Sequence, residues 1–118
     1  SLETVNIPKN LTSIPNSAFM NCPIVSVEIP GKVTSIGPYA FYNCPKLESL
    51  SIPDGVTSLG VYAVSYCPKL KNIKIPDSVT TIDLGAFYNC TNLLTVEFGE
   101  GIDLIAENVF AGCTSLKP

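Results

Sequence analysis

The sequence predicts an α/β solenoid, a right-handed stack of five coils of about 23 residues that share one core. A pentapeptide ending in cysteine occurs five times, as AFMNC (18–22), AFYNC (40–44 and 86–90), AVSYC (63–67) and VFAGC (109–113). The five cysteines are separated by 22, 23, 23 and 23 residues, a period that indicates stacked repeats. Ten Pro and eight Gly are spread along the chain, which excludes long helices.

The repeat divides a single domain, residues 1–118, into five units. These are 2–23, 24–46, 47–69, 70–92 and 93–115. A single coil cannot bury its own apolar face, so about three stacked repeats are needed for a stable core. The chain starts within one strand signal and stops at the first residue of another. We therefore expect either a piece of a longer array or self-association through uncapped ends.

Each unit is predicted to begin with a strand. In LESLSIP (47–53), alternation directs Leu50 and Ile52 inward and directs Ser49 and Ser51 outward. Pro53 ends the strand because it has no N–H group to donate. The strands are expected to stack about 4.8 Å apart as a parallel sheet on one face of the solenoid.

The rest of each unit is predicted to form short β, 3₁₀ or helical turns on the other face. GVTSLG (55–60) indicates a turn and a short β-rich stretch, in which Val56 and Leu59 bracket a bend. PYAFYNC (38–44) and VYAVSYC (61–67) indicate one turn or two of helix or 3₁₀. The alanine, the aromatic residue and the cysteine of such a segment would point into the core.

Two interpretations of the five cysteines are open. The repeat gives each one an equivalent place among apolar positions, which favours a stack of free, buried thiols that behave as small hydrophobic groups. An odd number of cysteines also fits a disulfide or a reactive thiol, although parallel side chains in register do not usually present the torsion of a disulfide. Zinc is disfavoured because the chain has no His and no C-x-x-C pair. We expect no metal and no cofactor.

The repeated pattern L-x-x-I-x-I-P-x-x-V-T-x-I-G-x-x-A-F-x-x-C resembles the bacterial-surface-protein-A (BspA-like) class of leucine-rich repeat. LESLSIPDGVTSLG (47–60) and LKNIKIPDSVTTID (70–83) match it best, and the resemblance covers essentially the whole chain. It implies a leucine-rich-repeat solenoid and a microbial cell-surface or secreted adhesin that binds host or neighbouring-cell proteins. The chain departs from the pattern at Val64, Gly99 and Val109, which we interpret as packing substitutions.

Composition argues against several other classes. Without His there is no Ser-His-Asp or Cys-His nucleophile, and the carboxylates fall at solvent-facing positions, so we expect no enzyme. A net charge of −3 and the lack of Arg argue against nucleic acid. No apolar run approaches the 18 residues of a membrane span. An intracellular structural or assembly scaffold, and hence a cytoplasmic location, is the alternative to the adhesin.

The outward positions of the strands are the candidate site for a protein ligand, since solenoids commonly bind through an extended concave surface. They are Thr4, Asn6, Ser26, Glu28, Glu48, Ser49, Ser51, Lys71, Asn72, Lys74, Thr95 and Glu97. A second surface series consists of tyrosines, namely Tyr39, Tyr42, Tyr62, Tyr66 and Tyr88. We predict that these tyrosines pack between coils with their hydroxyls at the surface; an aromatic carbohydrate-binding patch is the alternative.

Overall fold

The structure is a computed structural model that describes residues 7–116, so the predicted site residues Thr4 and Asn6 lie outside it. Nine strands occur in the described part of the chain. They are β1 (Ser13–Ile14), β2 (Ser26–Glu28), β3 (Ser35–Ile36), β4 (Ser49–Ser51), β5 (Ser58–Leu59), β6 (Asn72–Ile75), β7 (Thr81–Ile82), β8 (Thr95–Phe98) and β9 (Leu104–Ile105). Between residues 7 and 116 no helix is long and apolar enough to cross a membrane.

The odd-numbered strands form one parallel sheet in the order β1-β3-β5-β7-β9. Ile36 pairs with Leu59, and Leu59 pairs with Ile82, so each coil repeats the register of the one before it. Five strands in this order are separated by four complete turns of the solenoid. The sequence predicted a turn and a short β-rich stretch in 55–60, and β5 (Ser58–Leu59) is that stretch. The count of five coils and the right-handed winding stay predictions.

The even-numbered strands form the face that the sequence predicted as one sheet. They are paired in parallel as β2–β4 and β6–β8, which makes two two-stranded sheets. The predicted alternation is confirmed in β4, where Leu50 is buried between the exposed side chains of Ser49 and Ser51. We call the outward side of these four strands the strand face.

The third side of each coil consists of turns, and we call it the turn face (residues 15–22, 37–44, 60–67, 83–90 and 106–113). The predicted α/β class is not confirmed, because residues 7–116 contain strands and turns and no helix. The Phe41 amide donates to the Ala63 carbonyl of the next coil at 2.7 Å, whereas the following Tyr42 amide donates to Tyr39 at 3.2 Å. Alternate amides therefore leave the coil, and a helix would need all of them within it.

The backbone torsions of the turn face also show that it is not helical. Tyr39 and Asn43 have φ values of 59° and 57°, in the left-handed region that interrupts a right-handed helix. Equivalent pairs recur in the other coils, and several are Asn or Gly, the residues that tolerate this region best. The turn face is thus a ladder of tight turns that are hydrogen-bonded from coil to coil.

One apolar core runs through the stack from Ile7 to Cys113. Its largest members are Phe41 and Phe87, which are fully buried. Two of the predicted packing substitutions, Val64 and Val109, are buried in this core. At the third, Gly99, a Cβ would lie 2.5 Å from the Asp77 amide nitrogen, so only glycine fits.

The last strand differs from the earlier ones in its exposure. Leu104 and Ile105 of β9 are 57% and 41% exposed, whereas the matching Ile82 of β7 is fully buried. Leu94 and Phe98 of the same end coil are also exposed. We call these four residues the apolar edge.

Candidate protein-binding surface

The strand face presents two rows of polar side chains across its strands. In one row Ser26 pairs with Ser49 and Asn72 pairs with Thr95. In the other Glu28 pairs with Ser51 and Lys74 pairs with Glu97. Ser26 is half-buried and the other described candidates are exposed. The structure therefore brings ten of the twelve predicted site residues onto one surface and leaves them accessible to a partner.

Two side-chain contacts join β6 to β8 on the strand face, and both are exposed to solvent. The Thr95 hydroxyl donates to the Asn72 side-chain oxygen. Lys74 Nζ lies 4.0 Å from Glu97 Oε2, but these side chains are 77% and 74% exposed. An exposed pair of this kind contributes about 0–1 kcal/mol to stability. The charges of β6 and β8 are thus free to pair with a ligand at little cost to the fold.

A cleft of about 440 Å³ lies at the start of β4 and β6. Its lining residues are Glu48, Lys69, Lys71, Asn72 and Asn92. Sequence reasoning missed Lys69 and Asn92, which lie beside the strands rather than in them. The repeat could have found them, because the 23-residue step from Lys69 leads to Asn92. The cleft combines one carboxylate, two ammonium groups and two amides, a donor and acceptor set suited to a polar protein surface.

A second cleft, of about 580 Å³, lies at the opposite ends of the first strands. Its charged residues are Lys9, Glu28 and Lys32, and Ile7, Ile29, Pro30, Gly31 and Pro53 complete the lining. The candidate Glu28 therefore faces two lysines that were not among the predicted site residues. The negative charge of Glu28 is offset here by these neighbouring ammonium groups.

The cysteines form an interior ladder away from both clefts. All five are free; Cys22 is half-buried and the other four are buried, so the prediction of free thiols in the core is confirmed for four. Each buried thiol donates to a carbonyl of the preceding coil: Cys44 to Phe19 at 3.3 Å, Cys67 to Phe41 at 3.3 Å, Cys90 to Val64 at 3.0 Å and Cys113 to Phe87 at 3.1 Å. This position of the repeat therefore suits a side chain that is small and can donate a hydrogen bond.

The surroundings of these thiols do not favour nucleophilic chemistry. Hydrogen bonding with Cys44 and Cys90, together with burial, raises the pKa of Cys67 well above its ordinary value. Burial, and then the proximity of Cys44, raises the pKa of Cys22. Hydrogen bonding with Cys67 lowers the pKa of Cys44, and hydrogen bonding with Cys113 and Cys67 lowers the pKa of Cys90, but both side chains are buried. A reactive cysteine needs a lowered pKa together with access to solvent, and none of the five thiols has both. In the described part of the chain, no three His, Cys, Asp or Glu side chains are grouped as metal ligands.

Comparison with protein families gives a match over nearly the whole chain. The model of the BspA type leucine-rich repeat region matches residues 1–117 with six copies. The chain belongs to the BspA-type leucine-rich repeat family. Leucine-rich repeat proteins generally bind proteins and are typically non-catalytic scaffolds. A comparison with curated proteins gave no match.

Solved structures similar to this family member come from bacteria. A leucine-rich repeat protein from Bacteroides ovatus shares 32% identity at a TM-score of 0.67, over 98% of this chain and 38% of that one. The pneumococcal vaccine antigen PcpA shares 20% identity at a TM-score of 0.82, over 98% of this chain and 33% of that protein. A leucine-rich cell surface protein from Faecalibacterium prausnitzii shares 24% identity at a TM-score of 0.62, over 98% of this chain and 46% of that protein. The last two show the fold alone, and this chain spans less than half the length of each protein.

Proposed function

We propose that the chain is a non-catalytic protein-binding module of a microbial cell-surface or secreted adhesin, and that its ligand docks on the strand face. The observation that carries this proposal is the cleft formed by Glu48, Lys71 and Asn72 with their neighbours. These side chains are exposed, carry both signs of charge and are not needed by the core. Such a surface supplies specificity and steering through charge complementarity more than through buried area.

Binding to purified host extracellular-matrix and cell-surface proteins tests the proposal. We expect saturable binding of at least one of them by surface plasmon resonance. Glu48→Lys should weaken that binding about tenfold or more, since reversing a charge at a complementary interface places like charges together. Asp54→Lys is the matched control, because Asp54 is exposed in the turn after β4 and gives the same change in net charge. Equal losses in both variants, or no saturable binding, would contradict docking on the strand face.

The surface location is a separate part of the proposal. Its support is that one similar structure is described as a cell surface protein and another as a vaccine antigen. An intracellular scaffold is the second candidate, favoured by the five free cysteines, because extracellular domains of this size often carry disulfides. Antibody labelling of intact cells of the source organism decides between them: labelling before permeabilisation supports the surface, and labelling only afterwards supports the scaffold.

We further propose that the apolar edge is covered by further repeats of a longer array or by a second copy of the chain. Ile105 takes the position that is buried in every earlier coil, and Leu104 and Ile105 belong to an edge strand that is paired on one side only. Light scattering of the 118-residue chain should show association that Ile105→Lys abolishes. If the 118-residue chain is monomeric at all concentrations, a second copy does not cover the apolar edge. If the chain also stays monomeric when one further repeat is added, the longer array is favoured.

A further inference from the structure

The turn face carries all five tyrosines of the chain in one group, which we call the tyrosine cluster (Tyr39, Tyr42, Tyr62, Tyr66 and Tyr88). Every member packs against two others, with ring centroids between 5.3 and 5.9 Å apart, so the contacts close a circuit. These rings line an open pit of about 320 Å³. The predicted packing of tyrosines between coils is confirmed, and the pit is an additional feature.

A shift of one residue in the third coil shapes the cluster. The neighbouring coils read Tyr-Asn at 42–43 and 88–89, whereas the third reads Ser65-Tyr66. Ser65 is fully buried, and its hydroxyl donates to the Gly85 carbonyl at 2.6 Å. The third coil therefore carries its aromatic ring one position later, on Tyr66, and this ring packs against those of Tyr42 and Tyr88 in the coils on either side.

Three of the rings stand on unfavourable backbone. Tyr39, Tyr62 and Tyr66 have φ values of 59°, 53° and 56°, in the left-handed region. The equivalent positions of other coils hold residues that suit it better, such as Asn43, Asn89 and glycine. Unfavourable torsions that converge on one surface indicate a use for that surface beyond folding.

The turn face that carries the pit has no cationic side chain. The five segments of the turn face contain no Lys or Arg, and their charged residues are Asp83 and Glu107, which are both exposed. Desolvation, followed by the nearby hydroxyls of Tyr88, Tyr42 and Tyr62, raises the pKa of Tyr66. The tyrosine hydroxyls therefore lie near one another, and the turn face offers an anionic ligand no cationic side chain.

We propose that the tyrosine cluster binds a quaternary ammonium group. Such a cation is attracted to aromatic rings, and recognition by several aromatic side chains is its usual mode of binding. A pit of this size holds a small head group. Acidic residues without a competing ammonium group favour the positive charge. This site is independent of the strand face, so its failure would leave the proposed adhesin function untouched.

Titration with tetramethylammonium tests the site, with tyrosine fluorescence as the readout. The chain has no Trp and all its tyrosines lie in the cluster, so the intrinsic signal reports on this pit alone. We expect a saturable change with a dissociation constant of about 1 mM, as a few cation–π contacts give. Choline should bind at least about tenfold more tightly than its neutral isostere 3,3-dimethylbutan-1-ol, because only choline carries the charge.

Tyr66→Asn is the variant of choice, since it installs the residue that suits this backbone position in the neighbouring coils and should fold. We expect it to weaken ammonium binding about tenfold. Met20→Ala is the control, because Met20 lies on the same face at the position equivalent to Tyr42 but does not line the pit; its affinity should be unchanged. Three results would overturn the proposal: equal binding of the neutral isostere, binding of a neutral oligosaccharide without ammonium binding, or no saturable signal from protein that melts cooperatively.

Discussion

The same repeats build the turn face and the strand face, but the two faces differ in which residues recur from coil to coil. On the turn face four of the five cysteines are buried in the interior, and each of these thiols donates to a carbonyl of the coil before. On the strand face the outward residues change from coil to coil, from Glu28 through Ser51 to Lys74. Residues that recur at every step hold the coils together, whereas those that vary are free to define a ligand.

Hydrogen bonding follows the same division. The turn face and the sheet of odd-numbered strands are bonded through the whole described stack. The strand face is divided into two separate pairs of strands. Substitutions of buried residues at the repeated positions should therefore lower the stability most. Substitutions of outward residues on the strand face should mainly change ligand binding.

The largest loss is expected from Phe87→Ala. Phe87 is fully buried and stacks on Phe110 with ring centroids 5.7 Å apart, so its removal leaves a cavity in the middle of the stack. We expect the free energy of unfolding in urea to fall by about 3–5 kcal/mol. Phe98→Ala is the matched control on the exposed end coil and should cost about 1 kcal/mol or less. Similar costs at the two positions would break the distinction between interior and edge.

Alkaline pH should weaken the interior through Cys67. Its pKa in the folded protein is raised, so above about pH 8.5, where thiols of the unfolded chain ionise, the folded state holds more protons than the unfolded state. The stability is fully present below that pH and is lost as the pH rises, by at most about 1.4 kcal/mol per pH unit for this group. Urea unfolding in reducing buffer should show a shallower loss in Cys67→Ala. An equally steep pH dependence in Cys67→Ala and in the parent protein would contradict the assignment.

A smaller effect is expected from the loss of one buried thiol. Cys90→Ala removes the bond to the Val64 carbonyl, leaves that acceptor without the thiol and opens a small void. The expected cost is about 1–2 kcal/mol by thermal or urea unfolding. Cys22→Ala, at the half-buried end of the ladder, should cost about 0.5 kcal/mol. If Cys22→Ala proved the more costly, the ladder would not be the feature that couples the coils.

The smallest change in stability is expected from Glu48→Lys. Glu48 is exposed on the strand face, and such substitutions usually shift the free energy of unfolding by no more than about 0.5 kcal/mol. The same variant should have the large effect on ligand binding described above. A marked loss of stability here would mean that the strand face contributes to the fold, and the division between the two faces would fail.

The sequence predicted the features that depend on period and alternation. Five equivalent cysteines and the pattern around Leu50 were enough to identify the repeat, its core positions and the outward side of the strands. The turn face could not be predicted in the same way. Whether the Phe41 amide bonds within its own coil or to Ala63 is decided by the neighbouring coil, and the local sequence is compatible with a helix. Lys69 and Asn92 were missed because they flank the strands and show no alternation.

The central claim is that the coils share one dry interior to which the thiols contribute, and counting accessible thiols in the native protein tests it most directly. With excess Ellman's reagent at pH 8 and no denaturant, no more than one thiol per chain should react. That thiol should be Cys22, identified by its loss in Cys22→Ala. The other four should react only when urea unfolds the chain. Rapid reaction of three or more thiols in the folded protein would contradict the shared interior.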